Sequence, residues 1–302
     1  MPRRALVAAA VFLLLPTAAA RAAEDQPPAI ARHRIVYEEA LGVRINPIGV
    51  EDQHLLSFRE RLYEHASLAL RENYLGIGLS PTLAPAVSRF GGHVEVRPLT
   101  MLSLTAGFYQ VGYVGTFGAL QSFPDATHDY SDKRLSALKK AGTNYPAKGF
   151  EVHLRGIALG KLGPVAFRSD TSAFYTDVSL RKGDTVYYGP RLDLVERDKG
   201  WVLTTDEDVA YLSTFGLVAG ARFSTGNTFV DAPHGSSSTM RLGPVLAYSF
   251  FNHPNASFNK PTLLGIVQWW LAHPYRTGKD ISQAIPYVLL AFRFEGELWH
   301  AD

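Results

Sequence analysis

The stretch that decides the fold is 89-RFGGHVEVRPLTMLSLTAGFYQVGYV-114. It holds two alternating runs joined by a short connection at Pro98-Leu99-Thr100. In the first run Phe90, Gly92, Val94 and Val96 share a face opposite Arg89, His93, Glu95 and Arg97. In the second, Leu102, Leu104, Ala106 and Phe108 oppose Ser103, Thr105, Gly107 and Tyr109. A period of two is the strand signature, so each strand has one apolar and one polar side. The apolar side must cover either a protein core or lipid. The rest of the chain chooses between them.

Upstream, Arg3-Arg4 precede an apolar run from Ala5 to Leu15, then Pro16 and the small residues TAAARAA. A basic start, a short apolar core and an A-x-A pattern predict a secretory signal over residues 1–22, cut after Ala20 or Ala22. The run is too short to cross a bilayer as a helix. Residues 23–34, with Gln26-Pro27-Pro28, read as a loose tail before a barrel over 35–302. The chain has no cysteine, which excludes disulfides and thiolate metal sites. A net charge of +2 provides no global field for nucleic acid. Past the signal, the most apolar window is Leu263–Ala272, too short for a membrane helix. Any membrane crossing must therefore be made by strands, because only helices and closed barrels satisfy the backbone in lipid.

Taken in order, Ile35, Tyr37, Leu41, Val43 and Ile45 share a face against Glu38, Arg44 and Asn46. Leu55 to Leu70 reads as a strand with Phe58, Leu62, Ala66, Leu68 and Leu70 aligned, although its Ala, Leu, Glu and Arg content also suits a helix. Tyr74–Ser80 alternates next. The region from Gly115 to Lys148 is irregular and contains a short helix signalled by Ser131-Asp132, Leu135, Leu138 and Gly142. Further strands are expected after it at 150–160, Val165–Val178, Trp201–Tyr211, Phe215–Phe223, Met240–Phe251, Leu263–Pro274 and Ala284–Leu298. Long loops are expected at Arg181–Gly200 and Gly226–Ser238.

Two regularities emerge. Short connections near Leu99, Leu162 and Ser213 alternate with long ones, as in barrels with short turns at one rim and long loops at the other. Aromatic residues crowd the strand ends, among them Tyr113, Trp201, Tyr211, Tyr248, Trp269, Trp270 and Trp299, in the manner of interfacial girdles. The fold class predicted is all-β: an antiparallel transmembrane barrel of about twelve strands, ten if Ile35–Leu70 is not strand, with one short helix in a long extracellular loop. In these patterns the mature chain resembles the bacterial outer-membrane β-barrel class. The resemblance implies outer-membrane lipids and the barrel-insertion machinery as partners. The class commonly ends on an aromatic residue, whereas this chain ends Leu298-Trp299-His300-Ala301-Asp302, so Phe294 or Trp299 would serve that role. A soluble periplasmic all-β binding protein is the alternative fold, with its apolar faces meeting in one core.

The polar strand faces supply the candidate site: Arg89, His93, Glu95, Arg97, Glu151, His153, Arg155, Arg168, Asp170, Asp206, Asp208, Arg222, Arg241, Arg293 and Glu295. Such charges either form a paired structural network or line a narrow passage for small solutes or ions. A lipid-modifying hydrolase or acyltransferase is a third reading, with His153 beside Glu151 or His93 beside Glu95 as base and orienting acid. No G-x-S-x-G, P-loop or H-E-x-x-H motif supports it. The histidines are dispersed singly, so neither a metal nor a cofactor is expected. Lys133, Arg134, Lys139, Lys140 and Lys148 in the longest loop are candidates for lipid phosphate, or else a solvated helix face. Asp125, Asp129 and Asp132 lack calcium-loop spacing.

Overall fold

Alternation in the sequence becomes a wall in the computed structural model, which describes residues 30–114, 120–230, 238–277 and 285–302. The expected signal and the first part of the expected tail lie outside these residues. The strands are β1 (His33–Ile45), β2 (Gly49–Glu60), β3 (Tyr74–Leu79), β4 (Thr82–Leu83), β5 (Val87–Leu99), β6 (Leu102–Tyr113), β7 (Ser122–Phe123) and β8 (Ala147–Leu162). They continue as β9 (Val165–Val178), β10 (Val186–Gly189), β11 (Leu194–Arg197), β12 (Lys199–Leu212), β13 (Leu217–Asn227), β14 (Ser238–Ser249), β15 (Asn259–Ala272) and β16 (Tyr287–Ala301). β3 and β4 together make one interrupted crossing between β2 and β5. β1 pairs with both β2 and β16, so twelve antiparallel crossings close on themselves. Closure pairs both edges of the barrel sheet.

The faces are inverted relative to a soluble barrel. Phe90, Leu104 and Phe108 are 64%, 46% and 51% exposed, whereas His93 and Tyr109 are 4% exposed. The apolar residues of the opening hairpin therefore point outward and the polar ones inward. Close coiling of the wall requires glycine at one inner position of that hairpin: a Cβ on Gly91 would lie 1.9 Å from the Phe108 carbonyl oxygen.

Both ends of the barrel chain lie at one rim, with the connections 61–73, 100–101, 163–164, 213–216 and 250–258. The opposite rim carries 46–48, 84–86 and the longer connections after β6, β9, β13 and β15, whose described residues include a cap. A small sheet in the order β11-β10-β7 lies there. Helix α1 (Leu68–Arg71) belongs to the terminal rim and α2 (Asp132–Lys140) to the cap. Phe123, Tyr130, Val186, Val195 and Val230 form a buried cluster with Leu135, Leu138 and Tyr275 against it. The expected helix in the long loop is thus present, with Ser131 Oγ accepting from the Arg134 N–H at 3.4 Å.

Several boundaries differ from expectation, with β2 beginning at Gly49, β13 running to Asn227 and β15 beginning at Asn259. The strand expected over Leu55–Leu70 ends at Glu60, and α1 follows after an irregular passage. The cause is Asn73, which is 1% exposed. Its side-chain oxygen accepts from the Leu62 and Tyr63 N–H groups at 3.0 and 2.8 Å, and its amide donates to the Tyr63 and Leu70 carbonyls. Those bonds replace a ladder. The loop expected over Arg181–Gly200 contains β10 and β11, and β16 continues past Leu298 to Ala301.

Candidate functional site

Strand register explains how the interior charges meet. Asp208 lies opposite Arg168 on one side and Arg222 on the other, and Asp206 lies opposite Asp170. Two carboxylates facing each other would repel, but arginines stand between them. Arg155 donates to both Asp170 oxygens at 2.8 and 2.6 Å. Arg168 bridges Asp170 and Asp208, the latter at 3.1 Å. Arg222 reaches Asp208 through two bonds of 2.7 Å and Asp206 at 3.4 Å. Ser224 donates to Asp206, and the buried Gln268 donates to Ser224 at 2.9 Å. The result is a ladder of alternating sign across β8, β9, β12 and β13, continued by the amide on β15.

Across the barrel, Arg59 joins Glu38 at 2.9 Å and Glu95 at 3.6 Å, and Ser103 donates to Glu95 at 2.6 Å. Arg293 lies 3.8 Å from Glu38 and 3.7 Å from Glu295. Arg97 pairs with Glu72 at 3.0 Å and covers Tyr74. Arg241 differs: its guanidinium lies over Trp270 and Tyr287, and no carboxylate reaches it within salt-bridge distance among the described residues.

Toward the cap the interior is filled. The 179–198 connection turns inward and presents Arg191, whose guanidinium meets Glu151 at 2.8 Å and lies 4.0 Å over the Phe174 ring. Arg89 holds the other oxygen of Glu151 at 2.6 Å. Arg44 on the wall donates to the Pro190 and Arg191 carbonyls, at 2.5 and 3.3 Å. Leu192 and Leu194 pack with Phe174 and Val202. The carboxylate partner drives the Arg191 guanidinium above its ordinary range despite its burial. Burial pushes the Glu196 carboxyl up, and this group accepts from Tyr187 at 2.8 Å. A second anchor lies above: Arg276 donates to Asp193 at 2.7 Å and also to Asp132.

His273 completes this anchor just beyond β15. Its Nε2 donates to the Asp193 carbonyl at 2.8 Å while Nδ1 accepts from the Tyr275 N–H at 3.0 Å. Both nitrogens are committed to the neutral ring, and burial lowers its pKa against the pull of Asp193.

Of the expected charges, His93, Glu95, Glu151 and Asp170 are buried, but the histidines do not find the acids beside them. His93 pairs with Ser80 at 3.1 Å, and Ser80 in turn with Tyr109 at 2.8 Å. His153 pairs with Ser172 at 3.1 Å and stacks on Phe174. No carboxylate bonds to either ring among the described residues. Two residues apart on a strand share a face without touching, which is why the expected base–acid pairs do not form. Lys133, Arg134, Lys139 and Lys140 are exposed on α2, and Lys148 is exposed on the separate strand β8.

Sequence reading missed Arg191 and Arg276, since nothing in a loop's composition says that it turns inward, and it placed Arg44 on the polar face of its strand without finding its partners. It also missed Glu39, Asp52 and His54, which strand pairing brings together on the outer wall.

No family model and no curated protein matches the chain. Among solved structures, a NanC porin is similar at a TM-score of 0.38 and 9% identity, covering 87% of this chain and 100% of the porin. The β domain of the Bordetella autotransporter BrkA scores 0.37 at 11% identity, covering 87% of this chain and 98% of its own. The deltaS2 mutant of the TodX monoaromatic hydrocarbon channel also scores 0.37 at 9% identity, covering 89% of this chain and 90% of its own. No residue correspondence follows at these scores. The closed barrel of twelve crossings has the architecture of the outer-membrane class on its own geometry.

Proposed function

We propose that this chain is an outer-membrane barrel acting as a narrow channel for small charged solutes, gated near its loop rim by the 179–198 connection. The observation that carries this reading is the contrast between the two halves of the interior. Near the cap, Tyr187 and Leu194 are fully buried and Arg191 is clamped to Glu151. Around mid-barrel, the side chains of Arg155, Arg293 and Asp206 keep 39%, 49% and 37% exposure. Exposed, oppositely charged groups inside the barrel would give a passing solute binding partners of both signs. A soluble all-β binding protein fits poorly, because its apolar strand faces would meet in a core and not cover the exterior.

The expected partners are outer-membrane lipids, small solutes or ions, and the barrel-insertion machinery. An N-terminal secretory signal over residues 1–22 would deliver the chain. The exposed Lys133, Arg134, Lys139 and Lys140 face, with Lys148 nearby in sequence, suits lipid headgroup phosphates. The test is conductance in planar bilayers. Wild type should give small, infrequent steps, and Arg191→Ala should raise open probability or conductance several-fold. Silence from both proteins, with barrel folding intact, would contradict the channel reading.

A further inference from the structure

The outer wall carries a three-residue polar island that the channel reading does not use. Glu39 and His54 are direct cross-strand partners on β1 and β2, and Asp52 is two residues from His54 on the same face. Around it the outward set on these strands is apolar, with Leu41 50%, Leu56 44% and Phe58 40% exposed, and Leu83 lies opposite Asp52; the polar pair His33 and Glu60 lies at the terminal rim. Glu39 is the seventh of the thirteen residues of β1, so the island lies near mid-height and not at a rim. His54 Nδ1 contacts Glu39, and its Nε2 lies 3.3 Å from Asp52. No lysine or arginine lies within salt-bridge distance of either acid among the described residues. Asp177, an outer carboxylate near the loop rim, instead meets Lys199 at 3.1 Å. Glu207, another mid-wall acid, accepts from Ser169 at 2.8 Å.

We infer that Glu39, Asp52 and His54 form a site for a divalent transition-metal cation of the zinc class on the lipid-facing wall. One ligand atom from each residue lies within 4.8 Å of the others. Binding requires the three side chains to turn so that one imidazole nitrogen and two carboxylate oxygens meet a single ion at about 2.1 Å. An imidazole with two carboxylates and no thiolate suits zinc and its neighbours in the first transition row, and three protein ligands leave a coordination position open. Charge supplies the independent argument. Two carboxylates and a neutral imidazole carry −2 in an apolar setting, where unpaired charge is strongly disfavoured. A divalent ion brings the island to zero. The inference rests on the membrane reading of the outer wall.

The test uses tag-free protein purified in detergent, stripped with chelator and titrated with Zn2+, with metal per chain measured after gel filtration. Wild type should hold one tight equivalent, His54→Gln should lose it, and Asp52→Asn should weaken it at least tenfold. Equal zinc on wild type and His54→Gln would overturn the inference, as would retention of Ca2+ in preference to Zn2+. Heat-dependent migration of the same samples reports folding separately. A folded barrel that binds no zinc refutes the site and leaves the membrane reading standing. A chain that stays soluble and monomeric without detergent removes the premise, and the inference with it.

Discussion

Asp170 is the residue on which the interior ladder turns, since it takes two bonds from Arg155 and another from Arg168. Replacing it with Asn leaves two guanidinium groups competing for what remains. Breaking a buried pair from one side costs about 3–5 kcal/mol, and the partial exposure of Arg155 reduces that here to about 2 kcal/mol. Urea titration in detergent micelles should show this loss for Asp170→Asn, with a smaller one for Arg293→Ala, whose contacts are longer. His273 gives a pH dependence of known sign. Its unfolded imidazole takes up a proton near pH 6.5, while the buried folded ring resists it. The unfolded state then binds more protons, so cap stability falls as pH drops below about 6.5. Amide-exchange protection over 186–197 should therefore decline on acidification, and His273→Gln should remove that part of the decline. Glu196, whose carboxyl is pushed up, acts with the opposite sign, and the difference between the two proteins separates them.

At the scale of elements, alternation was easy to read and pairing was not. The faces of β5 and β6 follow from period two alone, and so do the inward positions of Arg155, Asp170, Asp208 and Arg222. Which of these meet depends on register and coiling, which a single strand does not encode. The same gap hid Glu39 and His54, fifteen residues apart in sequence yet direct partners in the ladder. The false strand after Glu60 had the right apolar spacing, but the buried Asn73 took its backbone groups. Close strand approach gives another prediction. A Cβ on Gly220 would stand 2.1 Å from the Val209 carbonyl oxygen, so Gly220→Val must push β12 and β13 apart. Overpacking of this kind costs about 1–3 kcal/mol, seen as a lower temperature for the gel-mobility transition of the folded barrel. In the cap, Leu138→Asp should free α2 from the Phe123 and Tyr130 cluster, read as protease cleavage near 132–140 with the barrel fragment intact.

For the whole molecule, the inverted wall gives the sequence pattern its meaning. An alternating strand is equally compatible with a soluble barrel until its neighbours show where the apolar side goes. Here the exposed side is the apolar one on strand after strand, and the enclosed side holds arginines and acids in contact. The inward turn of 179–198 could not be read from its composition, because Leu192 and Leu194 look like ordinary loop residues until Phe174 and Val202 are beside them. The chain's lack of cysteine makes the central claim directly measurable. Single cysteines placed along 102–109 can each carry a spin label in protein reconstituted into lipid bilayers. The label's collision rate with dissolved oxygen, which concentrates in lipid, should alternate with a period of two. It should be high at positions 104, 106 and 108, and low at 103, 105, 107 and 109. A flat profile, or water-soluble quencher reaching 104, 106 and 108 as readily as a free label, would contradict the assignment of the apolar face to lipid.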